Sequence, residues 1–246
     1  MRRFAVALAL AAVTAAPVGA QTRGFVTEGY RLPANKPVTV VVVRPDIEVG
    51  SLGVGGLPEP NADWTKAART NIDAGLAKEL GKRGVKVTSL DAADAGPQVA
   101  DYVALQRAVA DAILTHKYGG AKLPTKRDRF DWTLGPGAAT LGQASGANYA
   151  LFLTAQNNYA SAGRKVTQVA GALGCLVGFC MIQRGGFHRA HVALVDLATG
   201  NVVWFNRLRG TQGDPRDAEG GRSMVAALLA TMPTKPGETV KLDEGR

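Results

Sequence analysis

Cysteine and histidine are scarce in this chain, with two and three copies in 246 residues. So few cysteines can neither staple a disulfide scaffold nor build a cysteine-only zinc site. Acidic residues are short as well: 20 Asp and Glu stand against 29 Lys and Arg, a formal charge of +9. The excess of base suggests nucleic acid, yet no base-stacking motif accompanies it, and a nucleic-acid partner is not expected. Glycine is plentiful at 30 copies but follows no collagen-like period. No Walker-type loop is present. What remains is ordinary: 46% hydrophobic and 20% charged residues, near the averages of globular proteins, in a length that suits one large domain or two small ones.

Residues 1–20 read as a secretory signal. Arg2 and Arg3 form a positive start, Phe4 to Ala16 is an uncharged, alanine-rich run, and Val18-Gly19-Ala20 supplies the small residues that precede cleavage before Gln21. An uncleaved anchor is the competing reading, against which the shortness of the run counts. No cysteine lies near the cleavage point, so the expectation is a periplasmic or secreted protein that is not a lipoprotein. Without Arg2 and Arg3 the charge falls from +9 to +7.

In the mature chain, residues 21–36 read as an N-terminal leader segment. Val38 to Val43 is a run of β-branched residues, as in a strand buried on both faces. Pro45 ends it, and the glycines and prolines of Asp46 to Pro60 indicate a loop. Asn61 is a good cap for a helix through Lys82, in which Trp64, Ala68, Ile72, Leu76 and Leu80 share one face. Val85 to Leu90 is a second strand, and Pro97 opens a helix that runs out near His116. Leu123 to Trp132 reads as a charged linker. A short helix over Ala138 to Ala144 leads to the strand Tyr149 to Ala155. His188 to Leu197 and Val202 to Leu208 form a hairpin joined by Ala198-Thr199-Gly200-Asn201. Asp217 to Thr231 is a closing helix, and 233–246 is a polar tail. With no internal repeat and no break in composition, the expected fold class is a single α/β domain over 37–232. Its mixed sheet is sandwiched by helices packed on it and preceded by the signal peptide.

The segments GANYALFLTAQ and HVALVDLATGNVVWFNRL, in that order of elements, carry a resemblance. Gly146 to Leu151 and Val192 to Trp204 are similar to a strand and hairpin in the periplasmic α/β domain shared by CsgG-type curli-secretion lipoproteins, lipoprotein activators of penicillin-binding proteins and the amino-terminal domain of TolB. The resemblance implies a cell-envelope accessory or assembly factor. Asp196 and Gly200 are explained as turn formers.

Chemistry is thinly represented. His188 and His191, three apart on a strand, point to opposite faces and make a poor metal motif. Gly53-Val54-Gly55-Gly56 lacks a third glycine, since Pro58 occupies its place, and no helix follows to cap a phosphate. Gly221-Arg222-Ser223 is half of a nucleophile elbow with Val225 where the second glycine belongs. The expected protein is therefore not an enzyme and takes no cofactor and no metal. The alternative is a periplasmic hydrolase built on Ser223 or on a carboxylate pair such as Asp91 and Asp94.

The segment 163–186 is an apolar insertion, and Val166 to Gln183 within it carries no charge. Its firmly apolar part, Val169 to Ile182, is shorter than a membrane span. Two readings stay open. The insertion packs on the protein's own sheet or in a homo-oligomer, or it meets a membrane surface or an envelope-protein partner through Arg164, Lys165, Val169, Leu173, Leu176, Val177, Phe179 and Arg184. Cys175 and Cys180, five apart within it, are either a disulfide, which a turn at Gly178 permits and an oxidising compartment favours, or buried thiols. Between Ala160 and Gly210 six basic residues (Arg164, Lys165, Arg184, Arg189, Arg207, Arg209) meet one acid, Asp196, so most of the mature charge surrounds the insertion and hairpin.

Overall fold

A computed structural model describes residues 21–34, 37–126, 129–179, 186–210 and 212–235. The expected signal peptide, Cys180, Arg184 and most of the polar tail lie outside the described residues.

The domain is a mixed α/β sandwich around an eight-stranded sheet. Strand β2 (Thr39–Val43) lies in its middle, parallel to both β5 (Lys86–Leu90) and β6 (Tyr149–Ala160). From β6 the sheet continues as an antiparallel meander through β7 (Gly186–Asp196) and β8 (Val202–Arg209), with β1 (Gln21–Val26) on the far edge of β8. Val40 to Val43 are all buried, because helices cover both faces of β2.

One face carries α1 (Ala62–Lys82) and α5 (Ala218–Leu228). Asn61 adopts extended backbone and its side chain accepts from the Trp64 amide at 2.9 Å, which fixes the start of α1. Ile72, Leu76 and Leu80 of α1 pack with Val225 and Leu228 of α5 over Val40, Val42, Leu151 and Trp204. The helices approach closely because Gly75 and Gly221 face the partner helix. A Cβ on Gly221 would come within 2.8 Å of the Asn71 Cβ. The other face carries α2 (Pro97–Ile113) and α3 (Ala139–Ser145) over Val41, Val43, Ala150, Phe152 and Phe205. Pro97 stands in the first turn of α2, where its fixed φ suits a helix and its missing N–H costs nothing.

The 198–201 turn forms as its sequence predicts. The Ala198 amide donates to Asp196 Oδ1 at 2.8 Å, and Gly200 sits at φ 74 against the backbone of Gly135, where any side chain would overlap it. Four assignments change. The leader's first residues form β1, held by a full ladder to β8 that lies far away in sequence. The Gly- and Pro-rich stretch holds two strands, β3 (Asp46–Leu52), parallel to β6, and β4 (Pro58–Pro60). Strand β6 runs on through the polar residues 156–160 because β3 and β7 flank it there. The charged linker contributes Phe130 and Trp132 to the second core, with the Lys126 ammonium 4.9 Å above the Trp132 ring.

Candidate interaction surface

The insertion begins as helix α4 (Ala162–Gly174), continued by a 3-10 turn, Cys175–Val177. Ser161 caps it, accepting from the Arg164 amide at 3.2 Å. Its foot is tied to the β3–β4 loop: the Ser161 amide donates to the Leu52 carbonyl at 3.1 Å, and the Arg164 guanidinium donates to the Gly53 carbonyl at 3.0 Å. A cation in the first turn opposes the helix dipole, so this tie accounts for Arg164 at that place. Arg164 is 8% exposed. That burial holds Arg164 against the β3–β4 loop, apart from the exposed residues of the expected contact set.

Beyond that foot the helix shows an uncovered apolar stripe. Val166, Val169, Leu173 and Leu176, at spacings of three and four, lie along one side of the helix, and all are at least 59% exposed. Phe179 joins them after Gly178 reverses the chain at φ 84, with the Phe179 amide donating to the Gly174 carbonyl at 2.9 Å. Gly174 is required there, because a Cβ would overlap the Phe179 carbonyl. Lys165 is exposed beside the stripe. Cys175 is disulfide-bonded. Val54 and Leu57, on the loop that holds Arg164, are exposed too, and Val54 Cγ2 lies 3.2 Å from where a Cβ on Gly163 of α4 would stand. Among the described residues the stripe is not folded over the protein's own sheet.

Val169, Leu173, Leu176 and Phe179 are thus gathered on one surface, while Val177 lies in the 3-10 turn. Val166, Val54 and Leu57 are exposed apolar residues outside the contact set expected from sequence. Val166 follows from the same helical spacing, whereas Val54 and Leu57 stand in a loop whose position no periodicity reveals.

A second feature lies on the sheet face that carries α2. Where β2, β6, β7 and β8 pass under the helices this face is apolar, but towards the β3 end of β6 it is polar and open. The resulting trough of about 580 Å³ has Asp46 and Glu48 of β3 on one side and Arg189, His191, Arg207 and Arg209 of β7 and β8 on the other. Gln156 joins the sides, donating to Glu48 at 3.1 Å and accepting from Arg189 Nε at 2.8 Å. Asp46 pairs with Arg107 at 3.1 Å. A π-helical turn, Leu114–Tyr118, ends α2 and sets Tyr118 over the trough, with the Arg207 guanidinium 4.1 Å from its ring centre. Burial pulls the Arg207 pKa down; Tyr118 counters this, while Arg209 and Arg23 reinforce it. Burial also pushes His191 down to about 4, holding its imidazole neutral against Phe205.

The groups considered for catalysis are dispersed. His188 faces Asn157 and Tyr159 on one side of the sheet, and His191 stacks on Phe205 on the other. His116 stacks on Trp132. Ser223 lies within α5, with none of these imidazoles hydrogen-bonded to it. Asp91 pairs with Arg44 at 2.5 Å, and its Oδ1 accepts from the Ala93 amide. The described residues contain no group of three His, Cys, Asp or Glu side chains able to hold a metal ion, and no helix among them is long and apolar enough to cross a membrane.

No protein-family model and no curated protein sequence matches the chain. Among solved structures it is similar to two forms of the PelC dodecamer from Paraburkholderia phytofirmans. A single-substitution variant matches with a TM-score of 0.38 and 14% identity over 88% of this chain and 100% of that one. A second crystal form matches with a TM-score of 0.36 and 13% identity over 86% of this chain and 96% of that one.

Proposed function

We propose that the chain is an exported, non-enzymatic cell-envelope protein that works by binding, with the stripe of α4 as its contact surface. The observation that carries this reading is the set of Val166, Val169, Leu173, Leu176 and Phe179, apolar and exposed on a capped, anchored helix. Monomeric proteins rarely leave so continuous an apolar surface open, and such surfaces mark interaction sites. The partner in this reading is an envelope protein or further copies of the chain. Lys165 beside the stripe also suits a peripheral contact with anionic lipid. A periplasmic setting follows from the signal-like residues 1–20, and the likeness of Gly146 to Leu151 and Val192 to Trp204 to the CsgG and TolB amino-terminal domains belongs to the same proposal.

The test is a double variant, Leu173→Glu with Leu176→Glu, made in the full chain. Light scattering follows self-association, and cross-linking in intact envelopes followed by mass spectrometry identifies partners. The expected result is a folded protein, with native circular dichroism, that has lost its oligomer or its cross-linked partner. Unchanged assembly and unchanged cross-links in that folded variant would overturn the reading.

A further inference from the structure

We propose that the trough between α2 and the strands β7 and β8 is an anion site that takes a phosphate group. The register of the sheet carries the argument. Pairing of β7 with β8 sets His191 opposite Arg207 and Arg189 opposite Arg209, and pairing of β8 with β1 sets Arg207 opposite Arg23. Arg207 is therefore bracketed by Arg23 across one ladder and followed by Arg209 on its own face. Like charges directly opposite on neighbouring strands destabilise a sheet. Three acids also line the trough: Asp46 pairs with Arg107, Glu48 accepts from the uncharged Gln156, and Asp111 stands on α2, but none of them is ion-paired with Arg207 or Arg209. Among the described residues Arg23, Arg207 and Arg209 have no acidic partner.

Arg207 is prepared for a ligand in a further way. Its guanidinium carbon lies over the Tyr118 ring, while its Nε is buried and has no hydrogen-bond partner among the described residues. A guanidinium with a donor that the protein leaves unsatisfied suits an oxyanion. Tyr118 owes its place to the π-helical turn, a local departure from α geometry that recurs at functional sites. The Tyr118 hydroxyl donates to the Arg23 carbonyl at 2.5 Å, so the same side chain ties β1 to this wall. At about 580 Å³ the trough has the size of a small-molecule site and not of a polymer groove. A phosphate monoester, with up to two negative charges on one tetrahedral group, matches adjacent guanidiniums better than a single carboxylate. It has two sources, a soluble phosphate ester or the headgroup of an anionic lipid.

Both sources are tested with the full chain at low salt. Calorimetric titration with glycerol 3-phosphate reads the soluble ester, and co-sedimentation with phosphatidylcholine vesicles containing phosphatidic acid, whose headgroup is a phosphate monoester, against phosphatidylcholine alone, reads the headgroup. The proposal expects binding in at least one arm that weakens as salt is added and falls about tenfold or more in Arg207→Gln and in Arg209→Gln. Vesicle binding lost with Arg207→Gln but kept with Leu173→Glu assigns the headgroup to the trough and not to the apolar stripe. Because the row of cations is unfavourable without a ligand, Arg209→Gln is also expected to raise the melting temperature of the free protein, by up to about 3 °C. The proposal is overturned if neither probe binds, if the arginine variants bind as the parent does, or if Arg209→Gln lowers the melting temperature.

Discussion

Helices α1 and α4 start alike and end in opposite circumstances. Each has a side-chain cap, Asn61 or Ser161, and each carries an apolar row at helical spacing. In α1 the row Ala68, Ile72, Leu76 and Leu80 is at most 2% exposed, pressed between the sheet and α5. In α4 the row Val166, Val169, Leu173 and Leu176 is at least 59% exposed. A hydrophobic stripe states that a helix has a side to cover, and only the rest of the chain decides whether the cover is internal.

The sharpest way to test that contrast is to truncate one row and charge the other. Ile72→Ala is expected to destabilise the domain by about 3 kcal/mol through the cavity it leaves between α1 and α5, read by urea unfolding. Val169→Glu should leave unfolding stability within about 0.5 kcal/mol while weakening self-association or partner capture about tenfold, read by light scattering and cross-linking. A variant that unfolds as easily as Ile72→Ala would show that the α4 row is a core surface after all.

The caps give a finer comparison. Asn61→Ala should cost about 1 kcal/mol of global stability, since α1 is part of the cooperative core. Ser161→Ala should leave the urea midpoint unmoved and show itself only as faster amide exchange in α4, because a helix outside the core frays without unfolding the rest.

The smallest difference is in acid. Glu79 of α1 is hydrogen-bonded to Lys82 at 2.7 Å, which holds its carboxyl below the usual range in spite of burial. A carboxylate with a depressed folded pKa stabilises above its unfolded value near 4.5, and that contribution fades as the pH falls below it. Glu79→Gln should remove this acid-dependent part, worth less than about 1 kcal/mol for so exposed an ammonium. Nothing comparable can occur in α4, which contains no acid. Exchange rates in α4, corrected for intrinsic chemistry, should therefore show no matching acid step.

Much of the fold can be read directly from residues. Four consecutive buried valines mark the centre of the sheet, the four-residue spacing after Asn61 marks α1, and Asp196 with Gly200 marks the hairpin turn. In each case the signal and its cause lie within a few residues of one another. Strands β1 and β3 escape such reading because their stability comes from partners far along the chain, β8 and β6, while their own glycines and charges look like loop. The interaction surfaces divide in the same way. Four members of the α4 stripe are visible in sequence as a row, but their exposure depends on what fails to pack there. Arg164, one of six bases near the insertion, turns inward because the β3–β4 loop offers it carbonyls. The arginine rows of the trough come from three separate strands, and only the sheet register brings residues 23, 189, 207 and 209 together.

The pairing of β1 with β8 also constrains the order in which the domain can be completed. Residues 21–26 leave the ribosome early, yet their ladder partners 204–209 follow about 180 residues later. Until then the first strand has no template, and the far edge of β8 cannot exist. A chain that crosses a membrane amino terminus first would thus present residues 21–26 unpaired until β8 has followed, and the closure of that edge is a non-local and therefore slow event.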